Sequence, residues 1–441
     1  MKIRFPYKEI PALEVPDRNL LGEFRPRELP ERRPVAQQVA DALRNPIGGP
    51  RLGAMVGPTQ KVLLLVDDFT RPTPVAEMLP AVLTELREAG VEQRNISFLT
   101  APGTHRPMTE QELVRKLGPD VLRQYQVHQH RWQDQQELER AGETSGGLPI
   151  IVNRRLLEAD IVVSLGHIVP HRVTGFSGGA KIVDPGVFGE PASTQEMHWL
   201  SAQVPGREIL GIVDNPIRRA IDEMAGPVGL RFIVNVVQDG NGRVGGVFAG
   251  DPVAAHREGA KLARDTYGVH LPALADIVVI DSFPADVDFW QAGKAAYASE
   301  LAVRPGGVVI LVTPSPEGVA RHHPAVLEHG VRPVAELQRL VERGEIKDIV
   351  AAAILALTAW VVRERATGIM VSPGIPAEEK QRIGFLHAET PQAALEMAFQ
   401  RLGSGARVAV LHHGGEILPL APAGAETEAE ARERERVAAP R

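Results

Sequence analysis

Cysteine is absent from the 441 residues, which removes disulfides, thiolate-held zinc, iron–sulfur clusters and a thiol nucleophile together. Any metal must rest on histidine or carboxylate side chains, or on sulfur that a cofactor brings. Positive charge is not in excess either: 49 Lys and Arg stand against 55 Asp and Glu, a net charge of −6. No global basic field points to nucleic acid or to an anionic membrane, and a small-molecule partner is expected. The opening stretch, MKIRFPYKEIPALEVPD, holds no continuous apolar segment of the secretory kind. The longest apolar run, Ile349 to Val362 and broken only by Thr358, suits a buried helix better than a bilayer span. A cytoplasmic protein is expected.

What is present is an alternation of strand-like and helix-like runs. Residues 1–58 are rich in Pro and Arg and read as a wrapping segment. From Lys61 come KVLLLVDD, a helix through Val75–Ala89, ISFLTA, a helix opening at Thr109, IIVN and DIVVSLG. These predict an α/β layer with mainly parallel strands. FIVNVVQ follows, then DGNGRVGG; the latter contains G-x-G-x-x-G, but a second apolar run comes next instead of a helix, so a hairpin is predicted. After a helix over Asp251–Tyr267, a second α/β series runs through DIVVIDSF, GGVVILVTP, TGIMVSP, IGFLHAE and RVAVLHHGG. The expected division is an α/β domain over residues 1–270, a second over 271–415 and a charged, Ala-rich, disordered tail over 422–441.

Open α/β sheets bind ligands outside the carboxyl ends of their strands, and the polar residues gather there. After KVLLLV stand Asp67-Asp68-Phe69-Thr70-Arg71; after ISFLTA stands Pro102-Gly103-Thr104-His105-Arg106. After DIVVSLG come His167, His171 and a loop with Gly178, Gly179 and Lys181. Paired glycines allow close backbone approach, and the lysine suggests an anion, although Ala180 and Ile182 rule out a Walker A motif. Asp68 and Arg71 alone read first as an ion pair capping the next helix and second as a guanidinium set toward a carboxylate or phosphate, and any one of the histidines reads as a structural residue. His198 reads as a core histidine or a metal ligand, and Gln291 with Lys294 as a solvated helix face. His322-His323 and His412-His413 stay unassigned, because adjacent residues do not face one site.

In combination, Asp68-x-Thr70-Arg71-Pro72, Gly103-Thr104-His105-Arg106, Pro170-His171, Gly175-Phe176-Ser177-Gly178-Gly179-Ala180-Lys181, His198 and Gln291-x-x-Lys294 resemble the nickel-dependent lactate racemase family, over about residues 5–415. The resemblance implies two α/β domains with the active site in the cleft between them. It implies a pyridinium-3,5-bisthiocarboxylic acid mononucleotide, a nickel-pincer nucleotide, tethered to Lys181, with nickel also held by His198. Asp68, Thr70, Arg71, Gly178 and Gly179 would lie by this cofactor. The implied reaction is racemisation or epimerisation of a 2-hydroxy acid by reversible hydride transfer. His105 and His171 would act as the two acid/base groups and Arg71, Gln291 and Lys294 as the carboxylate clamp. Enzymes of cofactor biosynthesis are the implied partners in maturation. A short aliphatic substrate is expected, with a sugar acid as the alternative. From another class, a transferase holding a phosphate or nucleotide non-covalently on the Gly178–Lys181 loop would leave Lys181 unmodified, and a non-catalytic nickel or nucleotide carrier would not need both His105 and His171.

Overall fold

The apolar runs assemble into two six-stranded sheets. The computed structural model describes residues 1–30, 33–189 and 193–425, of which 193–196 are described as backbone only. Most of the expected tail therefore lies outside the described residues. In chain order the strands are β1 (Leu20–Phe24), β2 (Val62–Asp67), β3 (Ile96–Ala101), β4 (Gln126–Gln129), β5 (Ile161–His167) and β6 (Leu230–Gln238). There follow β7 (Val244–Gly250), β8 (Ala275–Asp281), β9 (Val303–Val312), β10 (Ala366–Val371), β11 (Phe385–His387) and β12 (Val408–Leu411). The helices that matter below are α1 (Val75–Glu88), α2 (Ser193–Ala202), α3 (Pro216–Ala225), α4 (Ala254–Tyr267), α5 (Phe289–Ser299) and α6 (Ile349–Ala359).

The first sheet has the order β7-β6-β5-β2-β3-β4 and is parallel except for β7. Successive residues of a strand face opposite sides, and here both sides are covered. Leu64, Val66, Val163 and Leu165 pack with Met78, Leu79 and Val82 of α1, whereas Leu63, Leu65 and Val162 pack with Ile217, Ile221 and Met224 of α3. That double burial is why the strands read as continuous apolar runs. The GNGRVG stretch is the predicted hairpin, its turn closed by the Asp239 amide on the Arg243 carbonyl.

The second sheet has the order β11-β10-β9-β8-β12-β1 and is wholly parallel. The opening segment departs from the expected division at 270: β1 is the edge strand of this second sheet, and Ile3, Phe5, Leu13 and Val15 pack with Ile277, Val279 and Val410. Burying apolar side chains at about 1.5–3 kcal/mol each fixes residues 1–24 to the second unit. His412 adds a tie, its two ring nitrogens 2.7 Å from Asp281 and 2.9 Å from Glu23. IIVN also differs from expectation. It pairs antiparallel with Leu138–Glu143 in a separate ribbon, and Gln126–Gln129 takes the sheet edge. The apolar run from Ile349 forms α6, buried along its whole length after the first residue. Among the described residues, no helix is long and apolar enough to cross a membrane.

Candidate functional site between the two sheets

Three neighbouring strands, β5, β2 and β3, end side by side, so their carboxyl-terminal loops converge. Across from them stands α5, whose amino terminus is capped by Asp288, which accepts from the Gln291 amide at 2.9 Å. The cavity between is lined by Asp68, Arg71, His105, His171, Gly178, Lys181 and His198 from the first domain and by Trp290, Gln291 and Lys294 from the second. Thr70 stands behind this lining, bonded to Asp68, and Gly179 turns toward His256. Gln291 is buried, so α5 does not present a solvated face here.

One chain of hydrogen bonds crosses the cleft. The Lys294 amine donates to Gln291 Oε1 at 2.5 Å, and the Gln291 amide donates to His105 Nε2 at 2.9 Å. His105 Nδ1 donates to Asp68 Oδ2 at 2.8 Å. Thr70 donates to the other Asp68 oxygen at 2.7 Å and accepts from Arg71 at 2.8 Å. Burial alone would raise the Asp68 carboxyl, but His105, Arg71 and Thr70 outweigh it and hold it far below the ordinary carboxylate range. His105 is therefore a neutral ring with its proton on Nδ1 and a lone pair on Nε2; burial, joined by the Arg71 and Lys294 charges, lowers its pKa against the pull of Asp68. His171 is set the other way. Its Nδ1 accepts from the Val173 amide at 3.2 Å, which leaves the proton on Nε2.

The cavity is rich in positive charge. Burial, then Arg71 and Lys181, hold the Lys294 amine well below its ordinary range. Burial, then the cations Lys181, Lys294 and Arg71, hold His171 well below its own. Burial, Arg71 and Arg218 bring Lys181 down to about 7, so a substantial share of its amine is neutral near pH 7. Such a site favours an anion and offers a nucleophilic amine.

The loop from Pro170 to Lys181 is held by residues that sequence reasoning missed. Arg218, fully buried on α3, donates to the carbonyls of Thr174, Phe176 and Gly178. Asn235 of β6 accepts from the Gly179 amide at 2.7 Å, and His256 of α4 bonds the Ser177 carbonyl at 2.9 Å. A lone Asn inside FIVNVVQ was the available signal; for Arg218 nothing local stands out. The paired glycines also answer a packing need inside the protein. Both have positive φ, 75° and 58°, and an added Cβ would lie 2.7 Å from Ile168 at Gly178 and 3.0 Å from the His256 ring at Gly179. They let the loop pack on the protein itself. Lys116, also missed, pairs with Asp67 at 2.5 Å behind the Asp68 loop.

Fold and cavity define a two-domain α/β protein that gathers histidines and basic side chains around one cavity. Comparison with known proteins gives the family. The lactate racemase N-terminal domain matches residues 7–208 and the lactate racemase C-terminal domain residues 272–418. The lactate racemase of Lactiplantibacillus plantarum is 28% identical over 422 residues, 93% of this chain and 98% of that one. The lactate racemase of Thermoanaerobacterium thermosaccharolyticum is 30% identical over 321 residues, 72% of this chain and 75% of that one. The solved lactate racemase apoprotein from Thermoanaerobacterium thermosaccharolyticum superposes with a TM-score of 0.82 at 27% identity, covering 95% of this chain and 100% of that one. A Thermotoga maritima protein, at 21% identity and a TM-score of 0.68 over 89% of this chain and 100% of that one, shares the fold. The chain belongs to the lactate racemase family and is an isomerase, a racemase.

Proposed function

We propose that this racemase interconverts the enantiomers of a short aliphatic 2-hydroxy acid, using a nickel-pincer nucleotide carried on Lys181. The observation that carries the reading is the meeting of His105, His171 and Lys181 with the Gln291–Lys294 pair in one cavity. The residues fit such a group. An amine at Lys181 brought down to about 7 is competent for acylation near neutral pH, and the His198 imidazole shares the cavity. Among the described residues no group of three or more His, Cys, Asp or Glu could hold a metal alone, which suits a nickel whose other donors come with the nucleotide. Lys181 would carry the nucleotide through a thioamide and His198 would donate to nickel; Asp68, Thr70, Arg71 and the Gly178–Gly179 turn would shape its bed. When bound, the group supplies the acceptor for the α-hydrogen as hydride.

Arg71, Gln291 and Lys294 then grip the substrate carboxylate, and its charge offsets the cations that depress Lys294 and His171. Gripping the carboxylate draws Gln291 off His105, whose Nε2 is freed to take the hydroxyl proton of one enantiomer. His171 serves the other enantiomer; to act as base at Nε2 it shifts its proton to Nδ1 and gives up the Val173 amide, a cost of about 1 kcal/mol. Trp290, Ile354 and Leu357 supply apolar wall, which suits a short aliphatic substituent and excludes water from the ketone stage. The test is to make the protein with and without the nucleotide-synthesis enzymes, locate any added mass on the Lys181 peptide, and supply α-deuterated L-lactate to both preparations. Racemisation confined to the modified protein, with deuterium retained in both enantiomers, is expected. Unmodified Lys181 in active protein, or deuterium lost to water, overturns the reading.

A further inference from the structure

His323 is a buried residue of the second domain that the mechanism leaves unused. Its Nδ1 lies 2.9 Å from Asp348 Oδ2 and its Nε2 3.2 Å from the Thr104 carbonyl. Both partners are hydrogen-bond acceptors, one on each side of the ring. The ring stacks on Trp290 with centroids 4.0 Å apart at 12°, and on Trp132 at 5.9 Å and 24°. Two tryptophan faces thus hold the ring by stacking. Trp132 and Thr104 belong to the first domain, Trp290 and Asp348 to the second.

What His323 touches lies next to the site on every side. Thr104 precedes His105, Trp290 precedes Gln291, and Asp348 caps α6 by accepting from the Ala351 amide at 2.9 Å. The His105–Gln291 bond between the domains is therefore bracketed by one imidazole that holds both flanking residues. Arg106 adds a second tie nearby, bidentate to Glu112 at 2.9 Å and 3.5 Å from Glu317 of the second domain.

We propose that His323 is a positioning residue, a clasp that fixes the His105 loop against α5 and so sets the spacing of base and carboxylate clamp. The proposal rests on the roles given above to His105 and Gln291. A base misplaced by a fraction of a bond length loses rate even when the substrate still binds, so the effect falls on kcat more than on KM.

The experiment uses three variants of the full chain. His323→Phe keeps a ring on the tryptophans and loses both hydrogen bonds. His323→Gln keeps a donor aimed at Thr104, and Trp132→Leu removes one stacking face. Hydrogen exchange is measured on nucleotide-free protein, and kcat and KM on loaded enzyme whose Lys181 adduct is verified by mass. His323→Phe is expected to speed exchange in residues 103–106 and to lower kcat by about tenfold, a change on the scale of a buried hydrogen bond, with KM changed less than twofold. His323→Gln should recover most of kcat, and Trp132→Leu should fall between; the latter keeps the test readable if His323→Phe does not fold. Unchanged exchange and kcat in His323→Phe, or a loss that His323→Gln does not recover, overturns the clasp. If loaded wild-type enzyme does not racemise, the exchange measurement still judges the clasp separately from the function.

Discussion

His105 Nδ1 lies 2.8 Å from the Asp68 carboxylate, and that contact decides which ring nitrogen is free to take a proton. The carboxylate, held ionised by His105, Arg71 and Thr70 against the cost of burial, accepts the Nδ1 proton and leaves the lone pair of Nε2 facing Gln291. An Asp68→Asn amide can turn an N–H toward Nδ1 and invert the tautomer. Turnover should fall by about a hundredfold or more, as expected when a positioned base loses its protonation state. The check is a racemisation assay on protein with an unchanged Lys181 adduct; activity within twofold of wild type would show that Asp68 does not orient the base.

Lys181 offers a test in the absence of any nucleotide. Burial and the nearby Arg71 and Arg218 disfavour its charged form and bring it to about 7. The neutral fraction therefore grows as pH rises through that value and is nearly complete above it. Acetylation by trace acetic anhydride, normalised to a non-titrating reference amine and followed on the Lys181 peptide, should rise to a plateau soon above neutrality. An ordinary lysine, titrating near about 10.4, would still gain rate throughout. A Lys181 rate that climbs without levelling through the alkaline range contradicts the neutral amine.

Arg218 donates to three carbonyls of the Thr174–Gly178 turn from a fully buried position. Arg218→Met leaves those acceptors without their donor and weakens the balance at Asp222, 3.7 Å away. Breaking a buried charged network of this kind costs about 3–5 kcal/mol, which corresponds to a fall in Tm of roughly 10 °C. The same variant should acquire the Lys181 adduct poorly, because the turn that presents the amine is loosened. A melting temperature within 2 °C of wild type, by an estimate on the order of 1 kcal/mol or less, would show that the turn holds without Arg218.

The parts of the site legible in the sequence were those the chain writes contiguously. Asp68 to Arg71, Gly103 to Arg106 and the loop to Lys181 each follow an apolar run, and strand ends of a parallel sheet face one edge. Supports that reach across the fold were not legible. Arg218 serves a loop 40 residues earlier through Gly178, and His323 meets Thr104 across 219 positions; no local period or motif encodes such pairs. β1 was missed for a related reason. Leu20 to Phe24 carries Gly22 and Glu23 and no β-branched residue, so it does not announce a strand, and its place beside β12 is set by pairing that spans most of the chain. The glycines were recognised as necessary, but the atoms they avoid, those of Ile168 and His256, come from elsewhere in the fold.

The two histidines stand in one cavity with Nδ1 committed in opposite protonation states, Nδ1–H of His105 donating to Asp68 and the Nδ1 lone pair of His171 accepting from the Val173 amide. Interconversion passes through both rings once, so removing either one blocks it, while the half-reaction that starts from the other ring's enantiomer survives. The measurement is rapid mixing of nucleotide-loaded His105→Ala and His171→Ala with each enantiomer separately, following the pyridinium absorbance. Net racemisation lower by about a hundredfold or more in both variants, with opposite enantiomers still reducing the cofactor, is the expected result. Full racemisation by either variant, or the same surviving enantiomer in both, would contradict the assignment of His105 and His171 as the paired acid and base.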